Sequence, residues 1–313
     1  MSERITVVGS LNMDLVVRSP RIPQPGETII GHEWHTIPGG KGANQAVAAA
    51  RLGGQVSMVG RVGKDGFAQA LLENLTESSV DHKHVSQDPE SATGVALITV
   101  DDAGENTIVV ASGANMKLSP QEVEAVEETI ASSKVLLLQL ESPLETVTRA
   151  AQLARAHGVT VVLNPAPARQ LPAELLSLVD VLVPNESETA LLTGMPIDSQ
   201  GALESAAGAL LKKGISNIIL TLGAMGAMLA NASGFVPVPA FKIDPVDTTA
   251  AGDAFVGAVG VSLAEAKPIT EAVRWGNAAG ALAATKLGAQ TSLPSRENVE
   301  ALSEIGDSYL PGV

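Results

Sequence analysis

Six short apolar runs, at residues 5–9, 56–60, 135–140, 159–163, 181–183 and 218–222, constrain this chain more than any other feature. Their aliphatic, largely β-branched residues are continuous rather than alternating, which fits strands covered on both faces. Each run closes on a small or polar residue, and a segment with helical spacing follows. Ser119-Pro120-Gln121-Glu122 is a capping box with proline at the first helical position, and Val123, Val126 and Ile130 continue it at helical spacing. Leu144, Val147, Ala151 and Ala154 mark a helix stopped by Gly158, and Leu203, Ala207, Leu210 and Leu211 mark another that ends at Lys212-Lys213-Gly214. Strand and helix in alternation predict right-handed crossovers and an α/β fold, a doubly wound, mostly parallel sheet flanked by helices. Hydrophobic residues make up 45% of the 313 positions but aromatics only 2%, so Ala, Val, Leu and Ile must build the core.

Two stretches break the rhythm. Residues 14–38 carry Pro20, Pro23 and Pro25 and show no helical period. Gly94–Val100 and Asn106–Ala111 flank Asp101-Asp102-Ala103-Gly104, a hairpin signal. Both stretches read as antiparallel β material, either decorating an edge of the main sheet or forming a small β lid over a site. The lid reading divides the chain into a large α/β domain at 1–13, 39–92 and 112–313 and a lid at 14–38 and 93–111.

The formal charge is −14, with no Lys/Arg cluster to supply the basic face that nucleic acid requires. Cysteine is absent, which excludes disulfides, thiol nucleophiles and cysteine-ligated zinc. The histidines, among them His32, His35, His82 and His84, stand near no carboxylate array that reads as a metal cage. The chain starts without a cleavable signal pattern. No apolar stretch reaches the ~18 residues of a membrane span. These features predict a cytoplasmic protein.

In open parallel sheets, ligands bind beyond the carboxyl ends of the strands. Here those ends carry Ser10, Asn12 and Asp14, then Glu141, then Asn185 and Glu188, then Thr221 and Gly223. Each alone can be a helix cap or a turn former; together they describe one polar rim. Gly39-Gly40-Lys41-Gly42-Ala43-Asn44-Gln45 opens a helix whose glycines let a ligand approach the backbone, but Gly42 stands where a Walker loop needs Ser or Thr. Asp247-Thr248-Thr249-Ala250-Ala251-Gly252-Asp253 pairs small residues at a helix start, open to an anion, with a carboxylate in the first turn. That carboxylate either just complements the helix dipole or serves as a base beside a phosphoryl group.

These two motifs resemble the signatures of the ribokinase family of carbohydrate kinases, and the resemblance runs through essentially the whole chain. Gly9-Ser10-Leu11-Asn12-Met13-Asp14, Asn185-x-x-Glu188 and Thr221-Leu222-Gly223 match in order and spacing. It implies an ATP-dependent kinase that phosphorylates D-ribose at O5. Asp253 would be the base, and the N–H groups of Ala250, Ala251 and Gly252 the anion hole. Asn12, Asp14, Gly40, Lys41, Asn44 and Glu141 would hold the sugar. Asn185, Thr221, Gly223, Gly252 and Asn277 would line the nucleotide site, and Glu188 would serve Mg2+ indirectly. The resemblance also implies a monovalent cation, usually K+, beside Asp247, Thr249, Ala283, Gly288 and Ser292, and a homodimer formed through the lid. Val256 and Gly260 depart from the usual pattern, away from the proposed base. The rival readings are a kinase for another sugar or a nucleoside (fructose, deoxyribose, pseudouridine) and a catalytically silent sugar-binding protein. A dinucleotide-dependent oxidoreductase has only Gly223-x-x-Gly226 in its favour, short of the full glycine fingerprint.

Overall fold

The computed structural model describes residues 4–304. Its strands are β1 (Arg4–Val8), β2 (Asn12–Arg18), β3 (Glu33–Gly39), β4 (Gln55–Val62), β5 (Asp81–Gln87), β6 (Gly94–Val100), β7 (Asn106–Ala111), β8 (Val135–Leu138), β9 (Thr160–Leu163), β10 (Val181–Leu182), β11 (Asn217–Thr221), β12 (Ala227–Asn231) and β13 (Gly234–Val238). The main sheet has the order β13-β12-β11-β10-β9-β8-β1-β4-β5. It is parallel from β5 to β11, and β12 and β13 close it with antiparallel pairs.

Each apolar run is buried on both faces because helices cover both sides. Along β8, Leu137 packs in one core cluster while Leu136 and Leu138 pack in the other. Val7 and Val8 divide in the same way. A strand with solvent on neither side needs no polar alternation, hence the continuous runs.

The chain winds outward from β1 in one direction through β4 and β5, and in the other through β8 to β11. The reversal between β1 and β8 opens a crevice at their carboxyl ends, where a doubly wound sheet binds its ligands. Ser10 and Asn12 follow β1 there, and Gln139 and Glu141 follow β8. Two helices converge on the same crevice, Lys41–Arg51 and Ala251–Ala264. They approach closely because Gly257 lacks a side chain: a Cβ there would lie 2.6 Å from Ala48 Cβ. The scarcity of large side chains is thus what brings the 41–45 motif against Asp253.

The expected helix over 120–131 is two short ones, Pro120–Glu124 and Glu127–Ala131. Val126 leaves the helical region (φ −113, ψ 20) and bonds back to Val123 O, so the axis changes direction while Val123, Val126 and Ile130 stay in the core. The Ser119 capping box forms as expected.

The two stretches without helical period build a separate four-stranded sheet, β3-β2-β6-β7, rather than an edge of the main one. Each contributes an antiparallel pair, but β2 and β6 join in parallel, which the expectation of purely antiparallel material missed. The reason is topological: Asn12 and Gly94 leave the main sheet side by side and run the same way. The first strand of this small sheet already begins at Asn12, before the expected boundary at 14.

Candidate active site

Glu141 ties three elements together. Its Oε2 accepts from the Ser10 hydroxyl and, at 3.1 Å, from the Lys41 amide at the start of the 41–51 helix. A carboxylate at a helix N-terminus is favoured by the dipole and needs no other cap. Ser10 Oγ also accepts from the Gly42 amide at 3.3 Å. The 39–45 motif is thereby fixed against the ends of β1 and β8. Asp14 comes in from β2 and lies against Gly39, where a Cβ would sit 2.4 Å from its Oδ2.

Asp253 occupies the first turn of the 251–264 helix and is 6% exposed. Its Oδ2 accepts from Asn44 Nδ2 at 2.9 Å and its Oδ1 from Gln45 Nε2 at 3.0 Å. The preceding Ala250 has φ 59, a left-handed conformation that costs an alanine about 1–2 kcal/mol. Such strain marks places where the backbone geometry matters more than its energy. No side chain caps this helix. The Ala251 amide is taken by Thr248 O at 3.1 Å, because the left-handed turn folds 248–251 back on itself. Ala251 is therefore not a free donor as expected; Gly252 and Asp253 keep amides without an acceptor among the described residues.

The electrostatics are those of a crowded anionic site around one cation. Burial raises the Asp14 carboxyl to about 7, helped by the charges of Glu141 and Asp253 and opposed by Lys41. Burial also raises Glu188, against the Asn185 amide and Lys41. For Lys41, burial disfavours the ammonium, but Asp253, Glu141, Glu188 and Asp14 outweigh it and hold it charged, above its ordinary range.

Asn185 and Glu188 form a reciprocal capping box at the start of the Glu186–Thr193 helix: Asn185 Oδ1 accepts from the Glu188 amide at 2.8 Å, and Glu188 Oε2 accepts from the Asn185 amide at 2.9 Å. A bridge between Asn185 and Thr221 sets both at the same sheet edge, with Gly223 just beyond. Asn277 behaves differently. It is 7% exposed and donates from Nδ2 to Val238 O and Pro239 O, so its nitrogen holds the turn after β13 and only its oxygen is left for a ligand. Gly223 to Gly226 form a short 3-10 turn after β11, not a dinucleotide fingerprint at a first strand. Asp247 draws two segments together, accepting from the Thr249 amide at 2.9 Å and the Gly288 amide at 2.8 Å. Ala283 and Ser292 are buried nearby in sequence, with Ser292 Oγ donating to Ala289 O.

Three residues of this neighbourhood were not anticipated, Asn115, Gln139 and Asn164, and Gln45 was named in the 39–45 motif without a role of its own. Asn115 Nδ2 donates to Asn12 Oδ1 at 2.7 Å and fixes that side chain's orientation. Gln139 and Asn164 end β8 and β9, so the rule that singled out Glu141 reaches them as well.

Residues 2–296 match the pfkB family of carbohydrate kinases. A ribokinase of Haemophilus influenzae is 43% identical over 297 residues, covering 95% of this chain and 97% of that protein. A deoxyribokinase of Salmonella typhi is 39% identical, covering 94% and 96%. The structure of an Arabidopsis thaliana ribokinase complexed with ribose and ATP superposes with a TM-score of 0.90 at 33% identity, covering 97% of this chain and 99% of that one. Matching nearly end to end in sequence and in fold, this chain belongs to the pfkB family of carbohydrate kinases.

Proposed function

We infer that the chain transfers the γ-phosphoryl group of ATP to O5 of D-ribose, giving ribose 5-phosphate and ADP. The observation that carries this reading is Asp253, a buried carboxylate next to exposed Gly252 at a helix start that no side chain caps. Relatives named as ribokinases, one of them complexed with ribose and ATP, supply the substrates.

In this reading Asp253 takes the O5 proton as that oxygen attacks phosphorus. The free amides of Gly252 and Asp253, with any that Ala250 contributes, donate to the phosphoryl oxygens at the positive end of the helix. No covalent enzyme intermediate is required; alignment and charge stabilisation carry the rate.

Asn12, Asp14, Gly40, Lys41, Asn44 and Glu141 hold the sugar. Asn44 Oδ1 is buried without a donor among the described residues, and a sugar hydroxyl supplies one. With Asn12 Oδ1 taken by Asn115, its amide nitrogen is the end left for the ligand. Asn185, Thr221 and Gly223 line the nucleotide site, with Asn277 supporting it through the 238–239 backbone.

Both carboxylate oxygens of Glu188 accept from Asn185, which suits Mg2+ held through water rather than directly. The magnesium ion would offset phosphate charge. A potassium ion would sit among Asp247, Thr249, Ala283, Gly288 and Ser292, where Asp247 joins the two segments that carry the carbonyls. It would add positive charge behind the anion hole.

The small sheet, spanning 14–38 and 93–111, acts as the lid. Its inner face carries Asp14, Ala96 and Val110, in register. Its outer face shows Val17, Trp34, Leu97 and Val109, all exposed, an apolar surface suited to a second copy of the chain in a homodimer. No helix among the described residues is long and apolar enough to cross a membrane, and a cytoplasmic location is part of this proposal.

Asp253→Asn tests the assignment. Turnover should fall by about 10²–10⁴-fold, the loss typical of a missing general base, with ribose KM little changed. An Asn variant that kept most of its turnover would remove Asp253 from the chemistry.

A further inference from the structure

Asp253 must be ionised to accept a proton, yet it shares its surroundings with three other carboxylates. Asp14 reaches it from β2, Glu141 from beyond β8 and Glu188 from the 186–193 helix, with Lys41 on the 41–51 helix as the countercharge. Neighbouring negative charge favours the protonated acid, and N–H donors favour the ionised one. The side-chain donors to Asp253 are Asn44 and Gln45. Asn44 belongs to the sugar-facing motif. Gln45 is 0% exposed and lies behind the carboxylate, out of any ligand's reach.

The sense of the Gln45 amide is not free. An ionised carboxylate only accepts, so Gln45 must turn its nitrogen toward Asp253. The second hydrogen of that nitrogen reaches Asn164 Oδ1 at 3.3 Å, and Asn164 in turn donates to Val183 O at 2.9 Å. Gln45 Oε1 then points away and accepts from Gln139 Nε2 at 2.6 Å. This leaves Gln139 Oε1 buried with no donor among the described residues, in a side chain 1% exposed. Apolar residues of similar length at both positions would avoid that loss, so the pair has no rationale in stability alone. It does have an electrostatic one.

The geometry points to Gln45 and Gln139 as positioning residues for proton transfer: Gln139 sets the sense of the Gln45 amide, and Gln45 donates to Asp253 Oδ1 and keeps the carboxylate turned toward the acceptor. The inference rests on Asp253 being the base.

The test is steady-state kinetics of ADP release with ribose for Gln45→Met, Gln139→Met and the double variant, each with a pH profile. Methionine keeps the length and removes the donor. Loss of the partner that orients a metal ligand typically costs about 10–100-fold, and the same order is expected for a partner that orients a base. Gln45→Met should lose that much kcat at saturating ribose, and Gln139→Met about tenfold, with ribose KM within about twofold. The acid limb of kcat should move to higher pH in both, because each change weakens an N–H donor to the carboxylate. Because Gln139 acts through Gln45, the double variant should be no slower than Gln45→Met alone. Unmoved kcat and acid limb in folded variants, or independent multiplying losses, would overturn the proposal. Gln139→Met removes one orphan oxygen but leaves Gln45 Oε1 without its donor, so the melting temperature of each variant is read beside its kinetics; if Gln45→Met does not fold, the kcat and acid limb of Gln139→Met decide. Asp253→Asn, run alongside, separates the two claims: if it stays active the base assignment fails, whereas if it is dead while both glutamine variants are normal only the positioning role fails.

Discussion

Asp14 gives the site a measurable signature in the stability of the empty protein. It is 8% exposed and its carboxylate accepts no hydrogen bond among the described residues, while burial, Glu141 and Asp253 raise its carboxyl from 3.8 to about 7. A shift of about three pH units at 1.36 kcal/mol each corresponds to about 4 kcal/mol between the protonated and ionised forms in the folded state. The sign follows from proton counting. Between the unfolded value near 4 and the folded value about 7, the native state binds the extra proton, so raising the pH lowers stability. Above that window the loss is complete and levels off. Asp14→Asn keeps the shape and removes the charge. In urea unfolding without ligand, the variant should match the parent at the acid end and gain on it as pH rises. The gap should level off above about pH 7, with about 4 kcal/mol as its upper bound because the site can relax around the charge. The comparison reads the Asp14 charge together with its coupling to Glu141, Asp253 and Lys41, since every other titrating group is common to both proteins. A gap that is flat across this range, or that widens as pH falls, would refute the account of an anionic pocket desolvating Asp14.

Gly39→Ala should raise ribose KM much more than it lowers kcat, because its Cβ would sit 2.4 Å from Asp14 Oδ2 and displace that carboxylate, while Asp253 is untouched; initial rates against ribose concentration check it. Leu137→Ala should cost about 2–5 kcal/mol, as for other fully buried leucines, since Leu137 is 0% exposed in the core between β8 and Gly260. Equilibrium urea unfolding reads that loss directly, and a loss below about 1 kcal/mol would mean the core closes over the gap.

The sequence resolved the buried strands because their apolar runs are continuous, and it resolved the helix start whose capping box is complete, at Ser119; Asn185 was left as a cap or a turn former, and it proves to be a cap. It missed β5, whose Asp81–Gln87 stretch is largely polar at an edge, and β12 and β13, where antiparallel pairing extends an otherwise parallel sheet. The parallel join of β2 and β6 was hidden because periodicity within a segment says nothing about which distant segment it pairs with. In the site, Asp253, Asn44, Lys41 and Glu141 were legible from motif and strand-end position. The amide pair Gln45 and Gln139 was not, since its meaning lies in a contact across 94 residues. Asn277 was assigned to the nucleotide by its place in the pattern, and that its nitrogen also holds the 238–239 backbone is visible only in the coordinates.

The most direct test of the central claim is ADP release measured with D-ribose against deoxyribose, fructose and nucleosides, with and without potassium. The account predicts turnover with ribose, stimulated by potassium, at a kcat/KM well above that for any other acceptor. Turnover only with another acceptor would leave Asp253 as the base but contradict the ribose assignment, and no turnover with any of them would contradict the enzyme itself.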